Sequence, residues 1–285
     1  MTADGDSVLR AMTDDGAFRV ITVRTTETVR GAVEAQRGSG RTAQYFGDLL
    51  TGAILFRETM APQLRVQGIV KASRGRGSLV ADSHPSGMTR GLIQLPRGAT
   101  ELDFGAGTVM QIMRTLPNGK IIQGVVEMPS SGGVSQALMA YMQVSEQVVS
   151  MIAVGTLMDR SGVFAAGGYL VQLLPEVGRG PLMIMTERLR DYERIEAQLR
   201  DSAFSPEWLL DQLLYGMPFT RLEESEVEFE CWCDELRLMS ALATLDRADI
   251  DHLVAGGEAL EISCDYCGKE YSIVPAQLRG LLEQS

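Results

Sequence analysis

The spacing of apolar and polar residues changes several times along the chain, and each change predicts an element. Residues 18–24, Phe-Arg-Val-Ile-Thr-Val-Arg, are rich in β-branched side chains and predict a strand. Thr26 predicts a helix cap, with the helix running from Glu27 to about Gln36. Over residues 41–60 the spacing becomes helical, with Phe46, Leu49, Leu50, Ala53 and Ile54 on one face. Strand-like runs follow at 63–72, 78–82, 89–95, 107–115 and 120–128, and Pro117-Asn-Gly119 predicts a hairpin turn between the last two. Helical spacing returns over 133–152, and further strands are predicted at about 152–159 and 167–174. This order, without internal repeats, predicts an α+β fold whose sheet is mostly antiparallel.

Gly and Pro concentrate around 175–181 and mark a boundary. Beyond it, Met185, Leu189, Tyr192, Ile195 and Leu199 form a narrow apolar stripe among charged residues, a helix able to dock on a surface but not to form a core. Ser205-Pro206 opens a second helix, which stops near Gly216. The predicted organisation is a large first domain at 1–178, a docked helical linker at 179–230 and a small C-terminal module at 231–285. Weakly docked linkers are candidates for local unfolding.

Composition alters this picture in two places. The net charge of −11 is concentrated in residues 221–285, where 15 acidic residues face 5 basic ones, leaving the rest nearly neutral. Such a tail repels phosphate backbones, which argues against nucleic acid as a partner. The start of the chain has no basic and apolar leader pattern, and the most apolar stretch, about 148–158, is interrupted by Ser150 and Gly155. The expectation is a soluble, cytoplasmic protein without membrane contact.

All four cysteines, Cys231, Cys233, Cys264 and Cys267, lie in the last 55 residues. In a reducing compartment a tight four-cysteine set points to metal before structural disulfides. The alternation through Glu226-Val-Glu-Phe-Glu-Cys-Trp-Cys233 predicts a strand with Cys231 and Cys233 on one face. Cys264-Asp-Tyr-Cys267 predicts a knuckle, with Gly268 free to take a positive φ. Four thiolates complete a tetrahedral Zn²⁺ sphere, whereas catalytic zinc keeps an open position. The two histidines, His84 and His252, are not at ligand spacing, and Gly75-Arg-Gly77 lacks the rest of a dinucleotide fingerprint. No catalytic residue is predicted.

A closed zinc sphere can be a permanent platform or a releasable one, and the spacing favours release. Each cysteine pair is close enough for its own local bridge, although Cα atoms two apart on a strand lie roughly 6.6 Å apart, at the edge of the bridging range. Zinc ties the halves across thirty intervening residues, whereas two local bridges tie nothing distant. Structural zinc supplies roughly 10–16 kcal/mol in small modules, more than a thin core can replace. Glutamates at 224, 226, 228 and 230 would share a strand face and repel, loosening the module further. Two other readings stay open: a permanent zinc platform for one protein partner, and a thiol oxidoreductase using Cys264 and Cys267.

The chain also resembles the heat shock protein 33 family of redox-regulated chaperones. The resemblance rests on the C-x-C and C-x-x-C pairs, on Val80-Ala-Asp82, Met88-Thr-Arg-Gly91, Tyr141 with Ser145-Glu-Gln147, Ala166-Gly-Gly-Tyr-Leu-Val-Gln-Leu-Leu-Pro175 and Ser205-Pro-Glu-Trp-Leu-Leu210. It departs from the family at Ala72-Ser-Arg-Gly-Arg-Gly-Ser78, which lacks the usual proline. The resemblance implies an ATP-independent holdase with one Zn²⁺ on Cys231, Cys233, Cys264 and Cys267 in the reduced, inactive form. It implies Cys231–Cys233 and Cys264–Cys267 disulfides on oxidation, release of zinc, unfolding of the linker, a homodimer, and unfolding proteins as clients. It assigns no client-contact residue, and the fifteen methionines are read first as core filler.

Overall fold

The computed structural model describes residues 5–73, 76–129, 132–175 and 177–283, so Arg74 and Gly75 of the proline-free segment lie outside the described residues. The chain forms two compact units, one ending at Glu230 and the other beginning at Cys231.

The first unit holds two sheets. Strands β1 (Ser7–Thr13), β2 (Phe18–Arg24), β8 (Ser150–Asp159), β9 (Gly162–Leu173) and β10 (Phe219–Glu226) make an antiparallel sheet in the order β10-β1-β2-β9-β8. Strands β3 (Arg65–Lys71), β4 (Ser78–Ser83), β5 (Met88–Gln94), β6 (Val109–Thr115), β7 (Ile121–Glu127) and the two-residue β11 (Glu228–Phe229) make the other, in the order β11-β5-β4-β3-β6-β7. All its pairs are antiparallel except β11 on β5. Helices α1 (Thr26–Ala35) and α2 (Gly40–Glu58) pack in the core they share. The predicted stripe of α2 is too narrow: Leu55, Phe56 and Arg57 are buried as well, because the helix has a sheet on either side.

Several predicted elements shift, each for a local reason. Thr25, not Thr26, is the cap position of α1, and the Thr26 hydroxyl instead accepts from Ala166 N at 3.1 Å. The helix predicted over 133–152 is α3 (Val134–Tyr141) followed by a π turn over Met142–Glu146. Gln147 takes φ +57, a left-handed residue that ends the helix and frees Ser150 to start β8. The stripe helix starts earlier than predicted, as α4 (Arg179–Tyr192), because Pro181 lies in the first turn, where proline is tolerated. Its last part is a separate short α5 (Glu196–Leu199). β1 and β10 were not predicted at all.

Residues 179–230 are integral to the first unit. Met185, Ile195 and Leu199, with Leu209, Leu210, Leu213 of α6 (Pro206–Leu213), cover the second face of the β1-containing sheet. The paired strand glycines Gly155 and Gly167 leave shallow pits there. A Cβ at Gly155 would lie 2.7 Å from Ile195, and one at Gly167 would lie 2.9 Å from the Phe204 ring. Beyond the helices the chain runs along β1 as β10 and along β5 as β11, so one short segment edges both sheets. Among the described residues no helix is long and apolar enough to cross a membrane.

The second unit contains α7 (Glu235–Leu242), α8 (Arg247–Ala255), the antiparallel hairpin β12 (Leu260–Ser263) and β13 (Glu270–Ile273), and α9 (Pro275–Glu283). Its buried apolar side chains are Leu242, Ile250, Ile273 and Leu278, with partly buried neighbours such as Leu238 and Leu253.

Candidate metal centre

The two cysteine pairs reach one point by different local means. The strand predicted through Cys233 ends at Phe229, and Cys231-Trp-Cys233 is irregular. The reason is the residue that follows: the Asp234 side chain accepts from Arg237 N at 2.7 Å and caps α7, so the chain must leave the strand before it. Glu224, Glu226, Glu228 and Glu230 remain exposed and alternate with half-buried or buried Ser225, Val227 and Phe229, but across two strands on two sheets rather than along one.

Cys264 and Cys267 sit in the turn between β12 and β13 as the predicted knuckle. Cys264 N donates to Lys269 O at 2.9 Å, and Gly268 N donates to Cys264 O at 2.7 Å. Gly268 has φ +73, in the region only glycine enters without strain. This CxxC joins two antiparallel strands and does not precede the helix of a βαβ unit, which removes the context of a thioredoxin-type site. His84 bonds to Ser86 and His252 is exposed in α8, and among the described residues the metal-sized cluster consists of the four cysteines.

The four Sγ atoms all lie within 4.8 Å of one another, with Cys231 to Cys264 at 3.8 Å and Cys233 to Cys267 at 3.5 Å. Around a tetrahedral metal with S–metal bonds of 2.3 Å, sulfurs are separated by about 3.8 Å. The donor set therefore fits Zn²⁺ in both chemistry and spacing, and the sulfurs are too far apart to be bridged as they stand. A further sign of fit is Tyr271 on β13. Its hydroxyl is buried beside the Cys233 sulfur, where a metal-bound thiolate would accept its hydrogen bond.

The sulfurs are not equivalent. Burial alone would raise the Cys233 thiol, but the Tyr271 hydroxyl and the other three cysteines outweigh it and lower it to about 7. Burial pushes Cys267 the other way, to about 12, with the neighbouring sulfurs adding to the rise. The thiolate, the form that binds metal and reacts with oxidants, is thus favoured at Cys233 over Cys267. Sequence reasoning did not single out Tyr271. Its only signal was an aromatic residue four positions beyond Cys267, opposite Ile262 in the hairpin.

Comparison with known proteins places the whole chain. A family model described as Hsp33 protein matches residues 6–274. The 33 kDa chaperonin of Syntrophotalea carbinolica is 29% identical over 288 residues, covering 97% of this chain and 99% of the relative. That of Bacillus cytotoxicus is 28% identical, covering 98% and 99%. The crystal structure of the 33 kDa chaperonin from Thermotoga maritima shares the fold, with a TM-score of 0.83 over 98% of each chain at 23% identity.

Proposed function

The chain belongs to the heat shock protein 33 family, whose members are redox-regulated chaperones and not enzymes, and from that premise we propose that its cysteine cluster is a zinc lock on a holdase. The observation that carries this reading is the convergence of four Sγ atoms within 4.8 Å from two segments thirty residues apart. Cys231, Cys233, Cys264 and Cys267 would hold one Zn²⁺, whose charge keeps the sulfurs deprotonated and whose four bonds join the two segments.

A hypohalous acid or a peroxide takes two electrons from each cysteine pair. One S–S bond forms within Cys231–Cys233 and one within Cys264–Cys267, and the oxidant is reduced to halide and water or to water. Those local bonds no longer join the hairpin to the segment before α7. The small core of Leu242, Ile250, Ile273 and Leu278 then has to hold the unit alone, and the adjoining residues 179–230 lose their C-terminal anchor. The released protein, a homodimer in this reading, holds unfolding polypeptides without ATP in the cytoplasm.

The test follows zinc release with a chromogenic chelator while measuring suppression of client aggregation, before and after oxidation. Zinc release and suppression are expected to rise together. A permanent zinc platform predicts retained zinc and no new activity, and an oxidoreductase predicts turnover of disulfide substrates by the reduced protein. Equal suppression by the reduced, zinc-loaded protein would rule out the switch.

A further inference from the structure

β1 is an edge strand in waiting. It pairs with β2 on one side and with β10 on the other, so removal of β10 leaves its outer row of backbone donors and acceptors open. The segment that covers it is poorly matched to the position. β10 reads Phe-Thr-Arg-Leu-Glu-Glu-Ser-Glu, is exposed along most of its length, and is rich in residue types depleted from strands.

The mismatch is plainest opposite the apolar residues of β1. Leu9 and Ala11 are 4% and 0% exposed and belong to the cluster formed with Leu209 and Leu210. Their cross-strand partners are Glu224 and Arg221, charged groups beside an apolar row. Between these pairs a bulge sets Leu222 and Glu223 against the single residue Arg10, interrupting the ladder. What fastens β10 is mostly main chain and polar: Arg10 donates to Glu223 O at 3.2 Å and to Ser225 Oγ at 3.0 Å, Thr220 donates to Asp14 at 3.0 Å, and Arg221 pairs with Asp211 at 2.9 Å, while Phe219 at its start packs against the apolar cluster. Beyond Phe219 the strand adds no buried apolar side chain, and its Leu222 is 43% exposed.

The covering strand ends with only four residues between it and the thiol pair that opens with Cys231. It continues through Val227, whose N–H donates to Asp6 O at 3.2 Å, into β11, and Glu230 is followed directly by Cys231. β11 has only two residues, and the buried Val227 and half-buried Phe229 are what fasten this stretch to the core, so β10 is free to leave once these two side chains are drawn out.

We propose that the outer edge of β1 is a client-docking site, that β10 occupies it as an internal stand-in, and that an extended apolar segment of an unfolding polypeptide takes its place by strand addition. The proposal rests on the redox-holdase reading above and names the surface that reading leaves open. Backbone hydrogen bonds supply affinity that is indifferent to client sequence, and side chains opposite Leu9 and Ala11 favour apolar, β-branched segments over the charged strap. Each polar anchor of β10 can pass back to it when the client leaves.

The experiment uses the full chain and two fluorescein-labelled nonapeptides of alternating Val and Thr, one unmodified and one N-methylated on alternate amides so that it cannot donate to a strand edge. By anisotropy, the oxidised chain is expected to bind the unmodified peptide at least tenfold more tightly than the methylated one. It should also bind it at least tenfold more tightly than the reduced, zinc-loaded chain does. The double substitution Arg221→Val and Glu224→Val makes the strap a better strand and should weaken peptide binding by the oxidised chain about fivefold. Ser225→Pro should let the reduced chain bind. Hydrogen exchange of residues 8–12 should slow when peptide is bound. Equal binding of the two peptides, or no slowing at β1, overturns the docking site even if oxidation still activates the chaperone. An oxidised chain that suppresses no aggregation overturns the holdase reading instead, and this proposal with it.

Discussion

Tyr271 is placed where one side chain would set how strongly the four cysteines hold a metal. Its hydroxyl is buried beside the Cys233 sulfur, the acceptor it faces. With a thiolate as acceptor the same group is satisfied, lowers the charge density on that sulfur and fixes its direction. Removing such an outer partner typically costs about 10- to 100-fold in metal affinity. Tyr271→Phe keeps the ring, and with it the Lys269 ammonium 5.2 Å from its centroid, while deleting the donor. We expect zinc to bind at least tenfold more weakly in competition with a chromogenic chelator, and oxidant to release it sooner. The circular dichroism of the zinc-loaded variant should be unchanged, which separates a tuning role from a loss of fold. Unchanged zinc affinity would show that the hydroxyl is a passive neighbour.

At the scale of the element, α6 is the best-fastened part of residues 179–230. Leu209, Leu210 and Leu213 are fully buried against the sheet, the Thr22 hydroxyl donates to Pro206 O at 2.8 Å, and Ser205 Oγ accepts from Trp208 N at 3.1 Å. The cap is the one of these that can be removed without opening a cavity, and its loss costs about 1 kcal/mol. Ser205→Ala should therefore raise the undocked fraction about fivefold, seen as faster hydrogen exchange in 206–213 and earlier activation by oxidant. Slower activation, or no change in exchange, would mean that α6 does not gate the response. Elements carried by local pattern were legible in the sequence: β2 to β7 by alternation and turn residues, α6 by its Ser-Pro start, the knuckle by Gly268. The missed elements are those that depend on distant partners. β10 is a strand because β1 lies beside it, although Arg221, Glu223, Glu224 and Glu226 disfavour one. The break in the long predicted helix rests on one left-handed residue, Gln147, that no periodicity announces. The cysteines were legible from spacing alone as one converging four-sulfur set, but the route that brings Cys231 and Cys233 to the hairpin depends on the cap at Asp234.

The molecule as a whole divides its stability unequally. The first unit encloses α2 between two sheets and covers a second sheet face with α4 to α6, two apolar clusters with many fully buried side chains. Among the described residues the second unit has four buried apolar side chains, and residues 221–285 carry a net charge of −10 that opposes compaction. A unit of about 55 residues with so small a core is below the size at which burial alone gives secure folding. Metal bonds contributing roughly 10–16 kcal/mol would dominate its stability. Chelating zinc in excess reductant, with no oxidant present, should therefore abolish exchange protection in α7 to α9 and the β12–β13 hairpin. Protection in α2, β2 and β9 should persist, and returning equimolar Zn²⁺ should restore the lost part. The loss should be deeper at low ionic strength, where the acidic groups repel one another over a longer range. If the hairpin and α8 stayed protected without metal, the core around Ile250 and Ile273 would suffice, and oxidation would have to act by a route other than withdrawing the metal's support.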